Sequence, residues 1–132
     1  MEALKDEERI EMIRLLSEAV NSMIKGIESG RVGFDYAVKE YADQSNNELA
    51  GAFKEFARQM KLADSQPDYN DDEIPDLRDE RRDALLQVAE RINVPEVTMF
   101  ANAMIEAQYK SIGVINALKG QAEQLRQKLP PA

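Results

Sequence analysis

Apolar residues recur in this chain at spacings of three and four from one end to the other. Nowhere do they alternate with a period of two for long enough to make a strand. That rhythm marks one helix face after another and restricts the chain to an all-α architecture. The C-terminal stretch carries it most cleanly: Val114, Leu118, Ala122, Leu125 and Leu129 share one face. Asn116, Lys119, Gln121, Glu123, Arg126 and Lys128 fall between them as a water-facing set, and Pro130-Pro131 ends the pattern. Most of that stripe is expected to be core, with Leu129, nearest the end, left for something outside the chain.

The same reading predicts an antiparallel bundle of about six helices in a single domain over residues 1–132. The first runs over 4–28, with Ile10, Ile13, Leu16, Val20, Ile24 and Ile27 inward and Asp6, Glu7 and Glu8 at its start, where the helix dipole favours acids. Gly30 is its natural stop. A short second helix covers 34–42, and Ser45 or Asn46 is the expected N-cap of a third that ends near Ala63. The fourth covers 77–92. In Asn93-Val94-Pro95, the residue before proline leaves the helical region and Pro95 suits the first turn of the fifth helix. Met12, Met23, Met60 and Met104 fall at or beside inward positions and read as core filling, Met99 as surface.

Composition removes whole classes of chemistry. With no cysteine and no histidine, Ser-His-Asp and Cys-His nucleophiles, Cys/His zinc sites and the Glu-x-x-His di-iron motif are impossible. Carboxylate pairs four apart, Glu7/Glu11 and Asp79/Asp83, do acid–base work only in a cleft that shifts a pKa. Among 25 acidic residues such spacing arises by chance, and no catalytic residue and no cofactor is expected. A net charge of −8 opposes nucleic-acid binding, which needs cationic side chains on phosphates. No apolar run approaches the ~20 residues that span a bilayer, and the charged start MEALKDEERIEM is no signal peptide.

The acidity is concentrated. Residues 64–83 hold nine acids and three arginines, a net −6 of the total −8. The loop at about 64–76 within it reads first as a solvated insertion. Asp68, Asp71, Asp72, Glu73 and Asp76 also offer oxygen to a hard divalent cation, without the spacing of an EF-hand. Capture of a basic partner is the third reading.

The segment RRDALLQVAERINVPEVTMFANAMIEAQYKSIGVINALKGQAEQLRQK resembles the cytoplasmic domain of the F-type platform proteins of type II secretion systems and type IV pili, above all the single-domain branch of Tad/Flp-type pili. Ala84-Leu85 and Ala89-Glu90-Arg91 match the family's first helix, and Asn93-Val94-Pro95-Glu96 its turn. Ala103 with Glu106-Ala107-Gln108 matches the next helix; Ala117-Leu118, Ala122 and Leu125-Arg126 match the last. The entrance AVNSMIKGIESGRVGFDYAVKEYADQ repeats the logic more loosely. The chain departs from the family pattern at Ser111, where glycine is usual, and in its longer acidic loop. The resemblance implies a non-catalytic platform on the cytoplasmic side of the inner membrane, anchored by spans outside this chain. It also implies an assembly ATPase and other platform subunits as partners, and a homo-oligomer. A free cytosolic helical adaptor is the alternative, and a carboxylate enzyme or cation-binding module a third reading resting on the loop alone.

Overall fold

The computed structural model describes residues 6–30, 32–64, 76–110 and 112–130. Among the described residues six helices form: α1 (Asp6–Glu28), α2 (Phe34–Gln44), α3 (Glu48–Asp64), α4 (Arg78–Ile92), α5 (Pro95–Tyr109) and α6 (Val114–Lys128). No strand occurs among the described residues. The expected all-α class and helix number are therefore observed.

Each boundary has a local cause. After α1, Gly30 takes a positive φ of 76°, which a side chain would disfavour, and its N–H donates to the Ile27 carbonyl. Helix α2 runs two residues past the expected 42. Ser45 is then its extended C-cap, and Asn47, not Ser45 or Asn46, caps α3: its Oδ1 accepts the Ala50 N–H at 2.8 Å. Asn93 closes α4 in the left-handed region (φ 55°, ψ 46°), and Pro95 opens α5.

Packing follows the chain and closes on itself. Each helix lies against the next, and α6 returns onto α1. Neighbours are antiparallel: Phe34 meets Phe56 while Tyr41 meets Phe53 across α2 and α3, and Gln59 bonds Gln87 while Arg91 bonds the Gly51 carbonyl across α3 and α4. Phe53 sits at the centre, edge-on to Tyr41 at 6.0 Å and to Phe100 at 6.1 Å, contacts that add about 0.5–1.5 kcal/mol each beyond area burial. Met12, Met23, Met60 and Met104 are buried and Met99 is exposed, as their positions predict. In α6, Leu118 and Leu125 are fully buried, while Leu129 is half-buried against the core. Gln121 corrects the sequence reading: it is buried, because it stands three residues after Leu118 and four before Leu125, on the inward face.

Candidate functional site

The end of the bundle formed by the starts of α2, α4 and α6 and the ends of α3 and α5 carries two open clefts that share Asp35 and Tyr36. The first, about 520 Å³, is walled by Phe34, Met104, Ala107, Ile112 and Val114. The second, about 460 Å³, lies between Ala57, Met60 and Leu77, with Lys39 and Lys61 beside it. Tyr36 stands between them, 53% exposed, with the Lys39 ammonium 5.9 Å from its ring centroid. Ile112, 47% exposed, borders the first.

The polar group shared by this end is an ion pair. Arg81 of α4 donates Nε to Asp35 Oδ1 at 2.8 Å and Nη2 to Oδ2 at 2.6 Å, and its Nη1 donates to Gln108 Oε1 at 2.9 Å. Gln108 in turn donates to the Arg78 carbonyl at 3.2 Å. A planar guanidinium thus ties α2, α4 and α5 together. The hydrogen bond to Asp35 raises the Arg81 pKa against the opposing cost of desolvation. With Asp35 engaged on both oxygens, this end offers apolar surface with fixed polar anchors, the composition of a binding cleft.

A second constellation lies at the opposite end. Glu96, in the first turn of α5, has a side chain only 1% exposed. It accepts Arg9 Nε at 3.1 Å and Nη2 at 2.7 Å from α1, and Lys128 Nζ at 3.2 Å from α6. Arg9 lowers its pKa to about 2 against the desolvation that raises it; its own backbone amide and Lys128 add to the lowering. This is a structural junction of three helices. The sequence reading did not single out Glu96 as inward; its one local signal is a place four residues before Phe100, and its cations lie 87 and 32 residues away in sequence.

The carboxylates singled out in the sequence fare differently. Asp68, Asp71, Asp72 and Glu73 lie outside the described residues. Asp76 is held by Arg78 in a bidentate pair, with Nη2 at 2.8 Å, and its pKa falls to about 2. Among the described residues no group of acids is placed to hold a metal ion. Asp79 accepts the Tyr109 hydroxyl and pairs with Arg82, which also holds Asp83, all on an exposed face. Glu7 and Glu11 do line a groove, with Glu8, Glu48, Met12 and Leu15. No helix among the described residues is long and apolar enough to cross a membrane. Comparison with protein-family models, with curated proteins and with solved structures finds no match to this chain.

Proposed function

We propose that this domain is a non-catalytic helical adaptor, and specifically the cytoplasmic domain of an inner-membrane assembly platform of a type II secretion or Tad/Flp-like pilus system. It would couple the assembly ATPase to pilin or pseudopilin extraction. The carrying observation is the pair of apolar clefts around Tyr36, whose shared carboxylate is already engaged by Arg81. Such a surface suits burial of a partner's apolar side chains around an aromatic anchor. The narrower platform reading is supported by the sequence likeness across Asn93-Val94-Pro95-Glu96 and the helices on either side. The partners would be the ATPase, other platform subunits and further copies of the chain, with anchoring spans lying outside it.

Two measurements test the proposal. Tyr36→Ala is expected to weaken ATPase binding at least about tenfold while leaving the far-UV spectrum unchanged, since the ring is exposed. Unchanged binding overturns the assignment of the clefts. The native reading frame tests the anchor: apolar segments of about 20 residues on either side support the platform. Start and stop codons at residues 1 and 132 make the domain a free cytosolic adaptor instead.

A further inference from the structure

A groove of about 350 Å³ opens at the end of the bundle away from Tyr36, between the starts of α1 and α3. Its floor is apolar: Met12 is buried and Leu15 half-buried, one turn apart on α1. Glu7, Glu8, Glu11 and Glu48 form its rim. Helix dipoles account for Glu7, Glu8 and Glu48, which lie in first turns. They do not account for Glu11, nor for an apolar floor left open among four carboxylates. Glu7 and Glu11, four apart, also repel one another along the helix. Among the described residues, Glu11 alone of the four has a cationic partner, the exposed Arg14 at 2.7 Å. Arg9, on the same helix, is committed to Glu96.

We propose that this groove docks a basic amphipathic helix of a partner protein. Apolar side chains at i and i+4 of that helix would cover Met12 and Leu15, while lysines or arginines flanking them reach the glutamates. Charge decides the occupant. An acidic segment meets four like charges, and a neutral one desolvates carboxylates without replacing their water. Nucleic acid and anionic membrane are repelled for the same reason. The domain then carries a binding surface at each end, the arrangement an adaptor needs, and this surface stands whether or not the clefts at Tyr36 engage an ATPase.

The test uses the full chain and a labelled lysine/leucine peptide of about 15 residues with leucines at i, i+4 and i+7, beside a glutamate/leucine peptide of the same pattern. Titration is followed by anisotropy and by methyl resonances of Met12 and Leu15. Expected are binding of the basic peptide only, shifts at both methyl groups, and at least about tenfold weaker binding in Glu8→Lys/Glu11→Lys. The milder Glu7→Gln/Glu8→Gln/Glu11→Gln variant guards against misfolding and is expected to weaken binding in the same direction. Absence of binding, binding unaffected by either variant, or shifts at Ile112 in place of Met12 and Leu15 overturns the proposal. So does a concentration-dependent shift without peptide, which assigns the groove to a second copy of the chain.

Discussion

Glu96 carries a concentrated electrostatic commitment, because its carboxylate is out of water while Arg9 and Lys128 both reach it. Removing one side of such an arrangement is therefore not equivalent to removing the other. Glu96→Gln keeps the volume and frees Arg9 and Lys128 to turn outward, at a cost of about 1–2 kcal/mol. Arg9→Ala strands a buried carboxylate on Lys128 alone and is expected to cost more. Urea unfolding followed by circular dichroism checks the order; equal losses would mean that the two residues act only through shared packing. The pH dependence has a defined sign. With its folded pKa depressed to about 2 from an ordinary 4.5, Glu96 contributes stability that is full above pH 4.5 and is lost as pH falls toward 2. Glu55, Asp76 and Glu123 are also lowered, but they are exposed and are present in both proteins, so they cancel in the difference. The stability of Glu96→Gln is expected to fall less steeply than that of the wild type between pH 4.5 and 2.

Among the helices, the positions that admit change and those that resist it differ in backbone and in neighbours. Gly120 lies exposed inside α6, and a Cβ there meets nothing within 4 Å, so Gly120→Ala is expected to stabilise by about 0.5–1 kcal/mol. At Gly26 in α1 the same Cβ lies 3.3 Å from Val32 Cγ2, and that crowding offsets the propensity gain. Thermal midpoints of the two variants compare them directly; a larger gain at Gly26 would contradict the packing of α1 on the turn that follows it. Asn93 holds the left-handed cap of α4, where a β-branched side chain clashes with its own backbone, and Asn93→Val is expected to cost about 1–2 kcal/mol. The elements themselves were legible in the sequence because apolar spacing, Gly30, Asn93 and Pro95 are local signals. The start of α3 was not, since Ser45, Asn46 and Asn47 are all competent caps. The choice of Asn47 rests partly on its side-chain amide, which donates to the Tyr41 hydroxyl at 3.3 Å. Gln121 was misread for a related reason: residue type suggested water, while position in the α6 stripe decided burial.

At the level of the molecule, the contacts that close the bundle join residues far apart in sequence: Arg9 with Glu96, Asp35 with Arg81, Glu28 with Lys119. No spacing rule links 9 to 96 or 35 to 81, so the Tyr36 clefts and the Glu96 junction appear only once the helices are assembled. What the sequence did carry was the chance for α6 to take part, through Leu118 and Leu125. Both are buried, and Lys119 and Lys128 fix the same helix to Glu28 and Glu96. A helix held by core and by ion pairs along its length should not fray independently. If closure makes one cooperative unit, Leu118→Ala is expected to lower global stability by about 2–5 kcal/mol, the same range expected for the equally buried Leu16→Ala in α1. Amide exchange then loses protection in α1, α2, α3, α4 and α5 by the same factor as in α6. If instead α6 alone loses protection, the ring of helices is an assembly of a stable five-helix body and a detachable sixth. The α1 face under Leu118 would then be a surface that α6 covers only part of the time.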